Sequence, residues 1–294
     1  MRRNSKLYKE LKARFPENVV SLSDSVLMEN SRDFGQLTGE PRMPLAVVFP
    51  TKVEQVQELM RLANEFQIPV ISRGAGTGVS GAVHVIDDAI ILNLSKMNRI
   101  LEIRPQDEVA VVEPGVINHH LNLAVSEFGL MYAPDPASYK MSTIGGNIAT
   151  NAGGLRCAKY GVTRESVLGL DVVLADGSLI HVGKNTFKGV AGYDLTALFT
   201  GSEGTLGVIV RAVLRGSGRG RRRSPADSQG TNPASDSRAD RSRDDESLGR
   251  TVRNSSCRAR WRNVACTTRR LRCRERRSSA ARSVQERLSA AERA

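Results

Sequence analysis

The stretch that decides the fold is Arg73-Gly-Ala-Gly-Thr-Gly-Val-Ser-Gly81, which directly follows a short predicted strand at residues 69–72. It holds four glycines and two hydroxyl residues in nine positions. Glycine permits positive φ and close backbone approach, so successive N–H groups in such a loop can form a nest for a diphosphate. A plain flexible loop is the alternative interpretation, and this segment alone does not decide between the two.

This loop is not one of the two common nucleotide-binding signatures. A Rossmann fingerprint needs an acidic residue that ends a strand about 20 residues further on in a βαβ unit, and none stands there. A P-loop needs Gly-Lys-Ser or Gly-Lys-Thr, which is also absent. A diphosphate bound here would therefore be held in another type of fold.

The flanking sequence predicts a mixture of helices and strands. Apolar spacing predicts helices at 5–15, at 116–128 and after Thr51, where Glu54 would complete a capping box. Apolar runs predict strands at 46–49, 69–72, 89–94, 100–103, 109–112 and 205–214, and a hairpin at 170–182 with a type I′ turn at Asp176 and Gly177. Because strands and helices do not alternate strictly, the expected fold class is α+β.

Small and polar residues dominate the next stretches that could line a ligand. APDPAS occupies residues 133–138, and MSTIGGNIATNAGG occupies 141–154. Side-chain amides at Asn147 and Asn151 could donate to and accept from the edge of a flat ring. KYG at 159–161, YD at 193–194 and GSEGTLGVI at 201–209 follow.

Four segments carry a specific resemblance because they occur in a fixed order. They are RGAGTGVSG at 73–81, PDPAS to STIGGNIATNAGG at 134–154, KYGVTRESVLGLDVVLADG at 159–177 and GYDLTALFTGSEGTLGVI at 192–209. Together they resemble the FAD domain of the vanillyl-alcohol-oxidase-type flavoproteins, most of all the glycolate oxidase FAD-linked subunit and bacterial D-lactate dehydrogenases. The similarity covers residues 20–215. It implies a two-lobed α+β domain at 40–215, with lobes at 40–105 and 106–215, after an N-terminal helix and lead-in at 1–39.

The resemblance also implies which segments hold the cofactor. The segment at 73–79 would wrap the FAD diphosphate, 137–143 and 150–153 would line the flavin and ribityl chain, and 203–209 would lie near the adenine. The expected FAD-binding residues are Arg73, Gly74, Ala75, Gly76, Thr77, Gly78, Val79, Pro134, Asp135, Ala137, Ser138, Met141, Ser142, Thr143, Gly145, Gly146, Asn147, Thr150, Asn151, Ala152, Gly153, Tyr160, Gly161, Glu203, Gly204, Val208 and Ile209.

Several residues near these segments have both a functional and a plain structural interpretation. Relatives with covalent flavin carry a histidine at the position of Thr77, so the resemblance implies non-covalent FAD. Cys157 is a candidate covalent anchor or redox thiol, but a small structural residue is the preferred interpretation. Glu203 could contact the cofactor or hold its turn. Arg156 and Lys159 could contact substrate but are more often surface charges.

The function implied by the resemblance is FAD-linked oxidation of a 2-hydroxy acid such as D-lactate or glycolate, with electrons passing to an unidentified acceptor. Such flavoproteins have a second half with a His-rich segment, and nothing beyond residue 215 matches it. No catalytic residue and no metal ligand can be assigned, so we expect reduced activity or none. Another FAD reductase of the same fold, of the enolpyruvyl-UDP-N-acetylglucosamine reductase type, is the alternative; the block at 142–161 favours the hydroxy-acid group.

The charge of the chain is concentrated in residues 216–294. The formal net charge is +12, and this segment has 21 arginines, no lysine and nine acidic residues, so it carries the whole excess. It lacks the apolar residues needed to offset chain entropy and is expected to be disordered. We hypothesise that it is the product of a frameshifted reading frame. A nucleic-acid-binding arm is the alternative, although the nine acidic residues and the near absence of aromatics argue against nucleic acid.

Cysteine content and hydropathy bear on the cellular compartment. The four cysteines form no CxxC pair, which argues against a disulfide framework or a structural zinc site. No apolar signal region is visible near the start, and no apolar run is long enough to span a membrane. The sequence therefore predicts a cytoplasmic protein.

Overall fold

The computed structural model describes residues 2–35, 42–85, 88–184 and 192–218, all of which fall within one compact unit, Met1–Ser228. The described part of the chain contains two main β-sheets, each with its own apolar core. The predicted disorder of residues 216–294 lies outside the described residues from residue 219 onward.

The first sheet is mostly parallel. Its strands run in the order β1-β2-β4-β3, with β1 antiparallel to β2 and the other pairs parallel. Leu7, Leu11 and Phe15, whose four-residue spacing predicted a helix, belong to one buried apolar cluster with Val56 and Leu59. The elements of this sheet are α1 Arg2–Arg14, β1 Val20–Ser21, α2 Asp24–Asn30, β2 Ala46–Val48, α3 Val53–Phe66, β3 Val70–Arg73 and β4 Ile90–Asn93.

The second sheet is antiparallel throughout. Its strands run in the order β5-β6-β10-β8-β9, and helices pack on it through apolar residues of the second core. A 3-10 turn at Leu94–Lys96 connects the two sheets. The elements are β5 Ile100–Arg104, β6 Val109–Val112, α4 Asn118–Ser126, α5 Ile144–Ala149, α6 Cys157–Tyr160, α7 Thr163–Ser166, β8 Val167–Val173, β9 Leu179–Gly183, α8 Leu195–Phe199 and β10 Val208–Arg215.

A third sheet has two strands and joins the last described residues to the segment that follows α4. Strand β7, Leu130–Met131, pairs antiparallel with β11, Ser217–Gly218. The first residues after β10 thus remain part of the fold. The change from the first sheet to the second falls between β4 and β5, and the expected lobe boundary near 105 stays a prediction.

The start of α3 differs in detail from the sequence prediction. Gln55, and not Glu54, closes the helix N-terminus, because its Oε1 accepts from the backbone N–H groups of Thr51 at 2.8 Å and Lys52 at 3.3 Å. The helix begins at Val53, one residue later than expected, and this places Gln55 rather than Glu54 three residues after the cap.

The predicted hairpin is present, but its turn is of another type. A type I′ turn needs positive φ at both central residues, whereas Gly177 (φ 82°) has positive φ and Asp176 does not. The Gly177 N–H donates to Leu174 O at 3.0 Å, so the turn is one residue longer and ends in a left-handed glycine. The Asp176 carboxylate accepts the Ser178 N–H at 2.8 Å, a local bond that stabilises this alternative.

Candidate FAD site

A cleft forms where the loop after β3 faces helix α5 and the start of β10. It has about 1000 Å³ of empty space, part of it open to solvent. The structure brings together residues from all the predicted segments except 159–161 and 193–194. The predicted residues that line the cleft are Arg73, Gly74, Ala75, Gly76, Thr77, Gly78, Ser138, Ser142, Thr143, Gly145, Gly146, Asn147, Thr150, Ala152, Glu203, Gly204 and Ile209.

The guanidinium of Arg73 lies buried beneath the glycine-rich loop. Its Nη1 donates to Arg32 O at 2.7 Å. A Cβ on Gly76, which has φ 71°, would overlap the guanidinium of Arg73, so this position requires glycine for both space and conformation. Burial lowers the pKa of Arg73, and the nearby charges of Asp33 and Glu29 oppose that shift. The arrangement holds a positive charge under a loop rich in backbone N–H donors, which suits a diphosphate.

The carboxylate of Asp33 connects the lead-in at Gly35 with the end of the glycine-rich loop at Gly81 and His84. Only 1% of its side chain is exposed. It accepts from the N–H groups of Gly35 and Gly81, both at 2.8 Å, and it lies 2.7 Å from His84 Nε2. Asp33 also lines the cleft, although the sequence predictions did not include it. Its stretch has no periodicity or motif that points to this role.

Close backbone approach explains the small residues of the opposite wall. Thr143 Oγ1 accepts the Gly146 N–H at 3.2 Å and caps α5. A Cβ on Gly74 would overlap that same threonine oxygen, and a Cβ on Gly145 would press against Pro114. The glycines therefore bring the loop, the helix and the 114 segment into direct contact along the cleft.

One polar atom of this wall lacks a partner among the described residues. The hydroxyl Oγ of Ser142 is buried without a hydrogen bond, although Ser142 lines the cleft. Buried polar atoms are nearly always paired. An unpaired hydroxyl beside a nest of backbone donors fits a polar ligand with phosphate and hydroxyl groups.

Comparison with known proteins identifies this ligand. Residues 44–183 match the family model described as an FAD binding domain. This chain carries an FAD-binding domain. The match covers the strands and helices on both sides of the cleft and the loop that follows β3. The unpaired Ser142 hydroxyl and the buried Arg73 charge fit FAD as the cofactor.

Relatives of the FAD-binding domain occur among oxidoreductases. The chain is 47% identical over 173 residues to the glycolate oxidase subunit GlcD of Bacillus subtilis, covering 59% of this chain and 37% of that protein. It is 45% identical over 169 residues to the D-lactate dehydrogenase of Archaeoglobus fulgidus, covering 58% of this chain and 38% of that protein. The chain thus spans less than half the length of these curated relatives.

A solved structure shows the fold of the FAD-binding domain. An alkyldihydroxyacetonephosphate synthase superposes with a TM-score of 0.65 at 23% identity, covering 73% of this chain and 40% of the other. This likeness confirms the predicted α+β fold, and the family match confirms the predicted FAD-binding domain.

The remaining predicted cofactor residues of the FAD-binding domain do not line the cleft. Asp135 accepts the Arg156 N–H at 3.0 Å, and Asn151 Oδ1 accepts the Arg164 N–H at 3.0 Å. The two side chains therefore bind backbone groups at the start of α6 and in α7. FAD contact by the whole set stays a prediction. The ten residues outside the cleft lining are Val79, Pro134, Asp135, Ala137, Met141, Asn151, Gly153, Tyr160, Gly161 and Val208.

The structure also places the residues that had two interpretations. Cys157 Sγ accepts the Gly154 N–H at 2.8 Å and is a free thiol outside the cleft lining. Glu203 lines the cleft, and its own N–H donates to Ala149 O at 2.8 Å, so it also holds its turn. Lys159 lies 4.9 Å from the ring centre of its neighbour Tyr160 and does not line the cleft.

Residues that the sequence predictions missed complete the lining of the cleft. Ser80, Ala149 and Gly207 lie inside the predicted segments but were not named individually, whereas the others come from the lead-in, from strand ends and from neighbouring turns, where no spacing signal points to them. The missed residues are Asp33, Ser72, Ser80, Ala82, Val83, Leu94, Pro114, Ala149 and Gly207.

Metal-ligand clusters and membrane-spanning helices are both absent from the described residues. Within the ranges from residue 2 to 218 that the structure describes, no cluster of three or more histidine, cysteine, aspartate or glutamate residues could hold a metal ion. No helix in these ranges has the length and apolar character needed to cross a membrane.

Proposed function

We propose that this chain is the FAD-binding part of an oxidoreductase that acts on a 2-hydroxy acid of the D-lactate or glycolate type. One observation carries the proposal: a single cleft is lined by the three motif segments 73–78, 138–152 and 203–209. The relatives are a glycolate oxidase subunit and a D-lactate dehydrogenase, which supports the substrate class.

The residues of the cleft perform binding and orientation in this proposal. The backbone N–H groups of the loop at 73–78 and the charge of Arg73 hold the diphosphate. The hydroxyl of Ser142 and the amide of Asn147 offer hydrogen bonds from the opposite wall. The chemistry that bound FAD would supply is hydride acceptance: the hydride would leave the carbon that bears the substrate hydroxyl, the hydroxyl proton would go to a base, and the electrons would pass on to an unidentified acceptor.

We assign no substrate base or carboxylate-binding cation in this cleft, because its charged lining residues Asp33, Arg73 and Glu203 are assigned to the loop, the diphosphate and the turn. A 2-hydroxy acid needs a base for its hydroxyl and a cation for its carboxylate. The four histidines all lie in the described part of the chain, and none lines the cleft. We propose that the chain alone binds FAD weakly and turns over little, in a cytoplasmic setting.

The proposed origin of this deficit is a frameshift near codon 216. The change to an arginine-rich composition without lysine or isoleucine at 216–294 supports it. Resequencing the locus tests it: an intact frame through codon 216, with a tail peptide found by mass spectrometry, would contradict the frameshift.

Absorbance spectroscopy of the purified chain tests the function. With added FAD, and with free cofactor left at equilibrium because binding is expected to be weak, we expect the bands of oxidised flavin to shift on binding to the protein. Anaerobic D-lactate or glycolate should bleach these bands slowly, whereas L-lactate serves as the control. Absence of any protein-dependent shift of the flavin bands would contradict the proposed cofactor role, and bound flavin that neither acid bleaches would contradict the substrate class or any turnover by this chain.

A further inference from the structure

A chain of three side-chain amides runs from strand β7 to the FAD cleft. The Tyr132 N–H donates to Asn122 Oδ1 at 3.1 Å. Asn122 Nδ2 donates to Asn118 Oδ1 at 3.3 Å, and Asn118 Nδ2 donates to Asn147 Oδ1 at 3.0 Å. Asn118 and Asn147 are only 1% and 3% exposed, so water does not compete for these bonds.

Backbone groups set the direction of every bond in this amide chain. The N–H of Tyr132 can only donate, so it must face the oxygen of Asn122. The carbonyls of Tyr132 and Pro134 can only accept, and they take bonds from Asn122 Nδ2 at 3.2 Å and Asn118 Nδ2 at 3.0 Å. Rotating either amide by half a turn would place like groups against each other and leave buried polar atoms unpaired.

The last member of the chain therefore has its nitrogen free for a ligand. Asn147 Oδ1 is used by Asn118, and Asn147 Nδ2 donates to no described residue. Asn147 lines the cleft. Its Nδ2 has no hydrogen-bond partner among the described residues, and it is not fully enclosed by protein. Because Asn147 lines the cleft, we infer that the remaining surface of this nitrogen faces it.

We propose that the amide chain fixes Asn147 Nδ2 as a hydrogen-bond donor to an acceptor atom of FAD, with Asn118 and Asn122 as positioning residues. The proposal rests on FAD as the cofactor and not on the identity of the substrate. A fixed donor costs no rotamer entropy when the ligand binds, because the protein has already oriented it.

Two isosteric substitutions probe the direction of the amide chain. Asn147→Asp replaces the donor at the cleft by an acceptor oxygen. Asn122→Asp is more informative, because it lies outside the cleft and is half-buried. A carboxylate there still accepts the Tyr132 N–H, but it attracts Asn118 Nδ2 and thereby turns Asn118 and Asn147 around.

The matched control is Asn93→Asp. Asn93 Nδ2 donates to Asn30 Oδ1 at 2.7 Å in another buried amide pair, and neither residue lines the cleft. The control removes a bond of the same kind at a similar depth, so it reports the effect of lost stability alone.

The experiment measures the FAD dissociation constant of the full chain by flavin fluorescence, together with the melting temperature and the visible band of bound flavin. We expect Asn147→Asp and Asn122→Asp to raise the dissociation constant about tenfold, the value of one hydrogen bond, and to shift the visible band. Asn93→Asp should lower the melting temperature and leave the dissociation constant within twofold.

Specific outcomes overturn the inference. FAD dissociation constants within twofold of the wild-type value for both Asn147→Asp and Asn122→Asp would overturn it. An equal rise of the dissociation constant in the Asn93→Asp control would also overturn it. Wild-type chain that binds no FAD would overturn this inference and the proposed function together. Wild-type chain that binds FAD but is not bleached by D-lactate or glycolate would overturn the proposed substrate and leave the amide chain to be judged by its own variants.

Discussion

Replacing Asp33 by asparagine should loosen the loop that is expected to hold the FAD diphosphate. The carboxylate accepts from Gly35 and Gly81 and contacts His84. Asparagine keeps one oxygen, so its NH2 group must face at least one N–H donor. Loss of one charge-assisted bond and the unpaired donors that result should cost about 2–4 kcal/mol of unfolding free energy.

The assay compares the unfolding free energy with and without FAD. At a FAD concentration of about 100 times the wild-type dissociation constant, ligand linkage stabilises the wild type by about 2.7 kcal/mol. If the loosened loop weakens FAD about tenfold, the same concentration stabilises Asp33→Asn by only about 1.4 kcal/mol. Urea unfolding curves recorded without FAD and at this FAD concentration measure the two increments in unfolding free energy.

A second carboxylate serves as the control for this prediction. Asp171 is 14% exposed, pairs with Arg211 and His181, and does not line the cleft. Asp171→Asn should lower stability without changing the increment from FAD. An unchanged increment in Asp33→Asn would refute the view that Asp33 shapes the cofactor loop.

Three further changes test other parts of the site. Gly76→Ala should cost about 2–4 kcal/mol and abolish FAD-dependent stabilisation, because its Cβ would overlap Arg73 at positive φ; a thermal melt with normal FAD response would disprove this. Ser142→Ala should leave stability without FAD unchanged or about 1 kcal/mol higher, since its hydroxyl is unpaired, yet weaken FAD about three- to tenfold; fluorescence titration with equal affinity would count against it. Hydrogen bonds from the first turn of α8, first of all from the Thr196 side chain, lower the pKa of Asp194. Ionised Asp194 therefore contributes under about 1 kcal/mol to the free energy of unfolding. This contribution is present above about pH 4 and is lost as the pH falls through the lower folded-state pKa. Acid unfolding that Asp194→Asn leaves unchanged between about pH 4 and pH 2 would contradict it.

Long-range side-chain contacts could not be predicted from the sequence, whereas local backbone requirements could. The sequence predicted the loop at 73–81 because its glycines report a local constraint that Gly76 confirms with φ 71°. Asp33 meets Gly81 and His84 across 48 and 51 positions, and no spacing rule links residues so far apart.

The sequence by itself determined the α+β class, the glycine-rich segments and, through resemblance, the cofactor, because periodicity and glycine use are local properties of the chain. Only the tertiary structure decided which segments share one cleft and which predicted residues, such as Asp135 and Asn151, instead brace the loops behind it. It also decided the direction of the amides at Asn118 and Asn147. The physical reason is that hydrogen-bond direction depends on backbone groups that only the packed fold brings within reach.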